Sequence, residues 1–204
     1  ETGDLELSRR LDTDAVGAVD CLCRIDGDRL LGTPFITQRF WESSIRTGAA
    51  VDCGRAAPGA GEILKTWKIG QRVYLAAYGG AELMEYDPAR PANYPENPRL
   101  VAKAPDAMRP VAAAAGDRIL YYASSRPYGN LGSVLTRYDT VRGVSVHAED
   151  PIGALQIQSL GYDAEAGALL VGSTIHADCR SCAPAKDRAD LALIDATGLE
   201  VLKQ

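Results

Sequence analysis

The densest chemistry in the sequence is the run His176-Ala177-Asp178-Cys179-Arg180-Ser181-Cys182. A histidine followed by Cys-x2-Cys puts three borderline-soft ligands in one loop, at a spacing that zinc sites use. Tetrahedral zinc needs a fourth ligand, which Asp187, Cys53 or a water would have to supply. Two outcomes stand beside zinc: a Cys179–Cys182 disulfide, and free thiols in a packed loop. No other cofactor is expected. Cys21 and Cys23 are two apart, on one side of a strand, and read as packing residues. The cysteines number five, so at least one thiol is free or pairs with another chain.

Catalytic groups are few. The only histidines are His147 and His176. His147 falls in an expected outer strand and reads as a surface residue. His176 could serve as a general base, with Arg109 and Arg126 stabilising developing charge, in a lyase or hydrolase. The sequence has no Gly-x-Ser-x-Gly, no His-Glu-x-x-His and no phosphate-cradling glycine loop. Carboxylates that could pair include Glu62, Asp106, Asp150 and Asp178, but sequence does not set their separation. On sequence alone the question of catalysis stays open.

These residues must be positioned by a recurring cassette: a glycine turn, a strand, a loop, a second strand and a turn. Gly70 leads through Arg72-Val73-Tyr74-Leu75 to Tyr86-Asp87. Gly116 leads to Tyr138-Asp139, Gly167 to Ile194-Asp195, and Gly27 to Ser43-Ser44. The opening glycines lie 43, 46 and 51 residues apart, the period of propeller blades. Glycine and proline punctuate short apolar runs, and no stretch holds a 3.6-residue period for long, so the class is all-β.

The expected architecture is a β-propeller of about four four-stranded blades, over units 15–53, 62–103, 109–148 and 155–204. Residues 4–10 read as an outer strand of a preceding or closing blade. An outer strand at each end is one too many for a closed four-bladed ring. The chain is therefore expected to be part of a larger propeller, with a partner chain or missing blades covering its ends. A β-sandwich would also give many short strands, but does not require the cassette to recur. Leu83, Tyr86, Leu135, Tyr138, Leu191 and Ile194 should occupy equivalent third-strand positions and be inaccessible.

The cassette, with its Tyr86-Asp87, Tyr138-Asp139 and Ile194-Asp195 steps, resembles bacterial β-propeller repeat proteins of the kelch-like or quinoprotein-like class. The resemblance covers nearly the whole chain. It implies the fold and is almost silent on function.

Strand direction alternates within a blade, so loops between second and third strands share a face with the blade-to-blade crossings. Those loops vary most, and variable loops on a rigid scaffold are where binding concentrates. The expected ligand-binding residues there are Arg39, Glu62, Lys65, Tyr78, Arg109, Arg126, Tyr128 and Gln156. Arginine, tyrosine and glutamine converging on a channel mouth suit a polar or anionic small molecule or a sugar.

Composition bounds the partners. Apolar content of 46% supports a substantial core, and a net charge of −5 without a Lys/Arg cluster argues against nucleic acid. No run of eighteen apolar residues offers a membrane helix, so a soluble chain is expected, either secreted or cytoplasmic. The reading is a non-catalytic module that binds a small polar ligand, a glycan or a protein through its loop-rich face. The rivals are the lyase or hydrolase at the channel mouth and a purely structural repeat array.

Overall fold

A computed structural model describes residues 18–204. The strand expected at 4–10 and the start of the first unit lie outside those residues. Sixteen strands follow in order. They are β1 (Val19–Arg24), β2 (Arg29–Pro34), β3 (Arg39–Ser44), β4 (Ala50–Arg55), β5 (Ile63–Ile69), β6 (Arg72–Ala77), β7 (Glu82–Tyr86), β8 (Arg99–Lys103), β9 (Pro110–Ala115), β10 (Ile119–Ser125), β11 (Ser133–Asp139), β12 (Val144–Glu149), β13 (Gln156–Asp163), β14 (Ala168–Thr174), β15 (Leu191–Asp195) and β16 (Val201–Lys203). Each run of four forms one antiparallel sheet, and the four sheets are blades 1 to 4 in chain order. The fold is an all-β propeller of four four-stranded blades.

Burial explains why the second strand of each interior blade is so apolar. β6 and β10 carry blades on both faces, so Val73, Tyr74, Leu75, Ala76 and Ala77, and likewise Leu120 through Ser125, are all buried. A strand covered on both sides reads as a continuous apolar run rather than an alternation. Outer strands such as β8 and β12 are largely open to solvent. The inner strands β1, β5, β9 and β13 neighbour one another in that order.

Three clusters hold the blades together. Leu31, Phe40, Ile63, Val73, Leu75 and Tyr86 join blades 1 and 2. Tyr74, Leu83, Leu120, Tyr122, Val134 and Tyr138 join blades 2 and 3. Tyr121, Leu135, Leu155, Ile157, Leu169 and Ile194 join blades 3 and 4. Each fully buried large side chain contributes about 1.5–3 kcal/mol. Two of the buried tyrosines pair their hydroxyls with carboxylates: Tyr86 Oη donates to Glu42 at 2.7 Å, and Tyr74 Oη donates to Glu85 at 3.0 Å.

Of the six third-strand positions expected to be inaccessible, Leu83, Tyr86, Leu135, Tyr138 and Ile194 are buried, but Leu191 is 81% exposed. The reason is positional: Leu191 points to the side of blade 4 on which no further described blade packs.

Loop 87–98 is ordered by Asn97, which the repeat pattern did not single out. Its amide donates to the carbonyls of Asp87, Arg90 and Pro91 and accepts from the Asp87 N–H.

Candidate functional site

The loop-rich face gathers residues from three blades around Arg109, which immediately precedes β9. Tyr78 follows the end of β6, Glu62 precedes β5, Tyr128 lies in loop 126–132, and Asp178 lies in loop 175–190. Gly61 permits the position of Tyr78: a Cβ there would sit 2.3 Å from the ring, and its φ is +123°. Gln38 donates to the Tyr78 carbonyl at 2.6 Å, tying this corner to blade 1.

Arg109 is held on every side. Its Nε donates to Asp178 Oδ2 at 3.0 Å, and its Nη1 lies 3.6 Å from Glu62 Oε2. The guanidinium carbon stands 4.5 Å from the Tyr78 ring centroid, within cation–π range. Ser125 Oγ donates to Asp178 Oδ2 at 3.4 Å and accepts from the Arg109 backbone N–H at 3.2 Å. The hydroxyls of Tyr78 and Tyr128 meet at 3.1 Å. The Gly129 N–H donates to Ser181 Oγ at 2.9 Å, joining the blade 3 and blade 4 loops.

The electrostatics follow from this packing. Burial works to lower the Arg109 pKa, but hydrogen bonds to Asp178 and Tyr128 and the charges of Asp178 and Glu62 raise it above its ordinary value. Tyr78 is pushed up to about 12, first by its bond to Tyr128 and then by burial. Asp20, at the start of β1, is raised by burial and by the charge of Glu62. One cation thus meets two carboxylates, Asp178 and Glu62, so Arg109 is already neutralised.

The structure brings together Glu62, Tyr78, Arg109 and Tyr128 from the expected set and leaves the others apart. Arg126 is 6% exposed. It forks onto Asp150 at 3.0 and 2.8 Å, reaches Glu149 at 3.0 Å, and lies 3.6 Å from Asp106. It is a buried ion-pair hub whose guanidinium is engaged by Asp106, Glu149 and Asp150. Arg39 pairs with Asp52 across β3 and β4. Lys65 lies on β5 opposite Ala76. Gln156 is buried at the head of β13, bonds Gln158 at 3.5 Å, and leaves its Oε1 unpaired.

Among the described residues no group of three or more His, Cys, Asp or Glu side chains converges to hold a metal. Asp178 turns inward to Arg109, and Cys179 and Arg180, at φ +53° and +54°, turn the chain so that Cys179 is exposed. His176 donates its backbone N–H to Thr174 Oγ1. All five cysteines are free thiols, which removes the Cys179–Cys182 disulfide. His147, on β12, is half-buried rather than a surface residue, with Nδ1 at 3.0 Å from Thr136 Oγ1.

Sequence reading missed Asp178 as the partner of Arg109. The available signal was physical: an arginine at a channel mouth needs a counter-charge, and Asp178 sits in the longest loop on that face. It also passed over the short-turn face. There Arg118, Arg137 and Arg142 line an open cavity of 840 Å³ with Tyr162, and the buried Nε of Arg137 has no partner.

No protein-family model matches the chain, and no curated protein matches it. Solved structures do. The chain is similar to part of a crystal structure of the tricorn protease, at 16% identity and a TM-score of 0.53, over 86% of this chain and 16% of that one. It is also similar to a chain of the nidogen/laminin complex, at 12% identity and a TM-score of 0.55, over 90% of this chain and 66% of that one. Both carry propellers, which places this chain in the β-propeller class. At such identities the likeness concerns fold alone, and this chain spans only part of either structure.

Proposed function

We propose that the chain is a non-catalytic binding module, one propeller unit over residues 1–204, whose loop-rich face takes a neutral, hydroxyl-rich ligand, a glycan. The observation that carries this reading is the Tyr78–Tyr128 pair beside a neutralised Arg109. Tyr128 is 47% exposed and offers a flat ring for a sugar's apolar face. Glu62 and Asp178 accept hydrogen bonds from hydroxyls. An anionic ligand fits less well, because Arg109 is already matched by two carboxylates. The kelch-like or quinoprotein-like resemblance is compatible with such a module and does not choose its ligand.

The lyase or hydrolase alternative needed Arg109 and Arg126 free to meet developing charge, and both are engaged by carboxylates. A purely structural array would leave the exposed Tyr128 without a role. The test is a titration of neutral mono- and oligosaccharides followed by amide NMR. Shifts should cluster on 78, 109, 128 and 178, and Tyr128→Ala should remove them while leaving the unfolding midpoint unchanged. Shifts elsewhere, or none across the panel with a protein partner binding instead, would overturn the glycan reading.

A further inference from the structure

At the short-turn face, the seam between blades 3 and 4 departs from the two seams before it. Strand pairing fixes the equivalent positions: Leu31 lies opposite Glu42, Tyr74 opposite Glu85 and Tyr121 opposite Arg137. The third-strand carboxylate of blades 1 and 2 is thus a guanidinium in blade 3. Glu42 accepts from Tyr86 Oη of the next blade and pairs with Arg29. Glu85 accepts from Tyr74 Oη and pairs with Arg99. In blade 4 the place of Tyr86 is taken by Ile194, which offers no hydroxyl. Arg137 is in no ion pair among the described residues, and its Nε is buried without a hydrogen-bond partner. The phenol of Tyr121 is its neighbour, since the Arg137 charge opposes the rise that burial and Tyr162 impose on the Tyr121 pKa.

A second departure adds another guanidinium. Arg72 opens β6 and reaches Asp87 at 3.1 Å. In blade 3 the same register position is Ile119, opposite Asp139, and the arginine falls one residue earlier, at 118. The Arg118 carbonyl accepts from the Thr140 N–H at 3.0 Å and from Thr140 Oγ1 at 2.8 Å, which anchors the turn. Its side chain pairs with no carboxylate among the described residues. Asp139, without a cross-strand arginine, accepts from the N–H groups of Val141 and Arg142 at 3.0 Å and stands 3.9 Å from Arg142 Nε.

These side chains share one cavity. Arg118, Arg137 and Arg142, with Asp117 and Asp139, line the open space of 840 Å³ together with Tyr162. The Tyr162 ring lies 5.2 Å from that of Tyr121. Gly116 admits it, because a Cβ there would stand 2.9 Å from Tyr162 Cε1.

We propose that this cavity binds the phosphoryl group of a small phosphate monoester. Guanidinium forks match phosphate oxygens in pairs, and three of them suit a group with three free oxygens better than a carboxylate with two. Asp139 is partly spent on backbone N–H groups, and the arginines outnumber the two aspartates. Ile119, Val141 and Tyr162 give the body of the ester an apolar wall beside the charged one, as small-molecule sites do.

The probe is phenyl phosphate in low salt at about pH 7.5, where the ester is a dianion, titrated by calorimetry and by amide NMR. The expected result is saturable one-to-one binding with shifts at 116–118, 137–142 and 162, displaced by inorganic phosphate. Arg137→Gln and Arg118→Gln should each weaken it about tenfold or more, the effect of losing a charged hydrogen bond. Arg46→Gln, at an exposed arginine of blade 1, should leave it unchanged. If Arg137→Gln does not fold, the exposed Arg118→Gln decides. Absence of saturation overturns the proposal, and so does succinate binding as tightly as phenyl phosphate. Equal losses in Arg46→Gln and Arg118→Gln would reduce the effect to general charge, and tighter binding of a phosphoserine peptide would remove the small-molecule assignment. Failure here leaves the glycan titration untouched, because the two sites share no residue.

Discussion

Arg109 and Asp178 are 69 residues apart in sequence and bonded at 3.0 Å, so one ion pair ties the start of β9 to the loop between β14 and β15. With Glu62 and Tyr78 added, Arg109 holds blades 2, 3 and 4 together at the loop-rich face. A residue placed at a channel mouth by repeat phase looks like a ligand contact. In the fold its Nε is bonded to Asp178, its Nη1 lies beside Glu62, and its guanidinium packs on the Tyr78 ring.

Arg109→Ala should therefore cost stability. Asp178 is 9% exposed and would keep a desolvated carboxylate without its partner. The expected loss is about 1–3 kcal/mol, less than for a fully buried pair because Arg109 remains partly solvated. Urea unfolding measures it, and a double-mutant cycle with Asp178→Asn should return a coupling of about 0.5–2 kcal/mol. A midpoint equal to the parent's would mean that the pair is ornamental.

Tyr138→Ala should cost more, about 3–5 kcal/mol, as truncations of buried aromatics do. Tyr138 is buried in the interface between blades 2 and 3, with its ring 6.0 Å from that of Tyr74. Thermal unfolding with an unshifted midpoint would contradict its place in that interface.

The blades were legible because their cause is local. A glycine turn, an apolar run and a terminal Tyr-Asp or Ile-Asp step recur at a nearly constant interval, and each piece signals its own structure. The face on which Tyr78, Arg109 and Tyr128 would meet was legible too, since it follows from strand direction. The roles of Arg126 and Asp178 were not. Both depend on which carboxylate reaches which guanidinium across tens of residues, and nothing within either segment encodes that choice. Leu191 was misjudged for a related reason: repeat position says which way a side chain points, not whether a neighbour stands there.

Acid should weaken the fold in part through His147. Burial lowers its pKa, against the opposing charge of Glu149, so the folded state holds the neutral ring and the unfolded chain binds the proton more readily. The stabilisation is present above the unfolded value of about 6.5 and is lost as pH falls through the lower folded value. His147→Gln should flatten the stability profile over that interval. An equally steep profile in the variant would assign the loss to other groups.

Thiol reactivity should sort the cysteines by environment. Cys179 is exposed and should react first with an aromatic disulfide reagent at mildly alkaline pH. Cys53 is pushed up to about 11 by burial and then by the charge of Glu42, and burial also raises Cys21 and Cys23. These three should react slowly, because the thiolate is the reactive form. One equivalent of zinc is expected to leave the rate at Cys179 unchanged. Strong protection of Cys179 and Cys182 together, with zinc retained through gel filtration, would instead establish a zinc site at His176, Cys179 and Cys182.

The last prediction concerns Gly32, which pairs directly with Trp41 across β2 and β3. A Cβ on residue 32 would lie 2.0 Å from Trp41 Cζ2 and 2.4 Å from Cε2, far inside van der Waals contact. The indole lies flat over this glycine, and Trp41 is buried. Alanine itself is compatible with a strand backbone, and replacing glycine where no clash exists stabilises by about 0.4–1 kcal/mol. Gly32→Ala should nevertheless destabilise, by about 1–3 kcal/mol, since the ring must leave its place in a packed sheet. Displacing the indole toward solvent should also move its fluorescence to longer wavelength. Trp67, on β5, provides a constant background in both proteins. The decisive comparison is made in a Trp41→Leu background, where the obstructing ring is gone: there Gly32→Ala should be neutral or mildly stabilising. If alanine costs the same with and without the indole, the close approach of ring and backbone is not what position 32 requires.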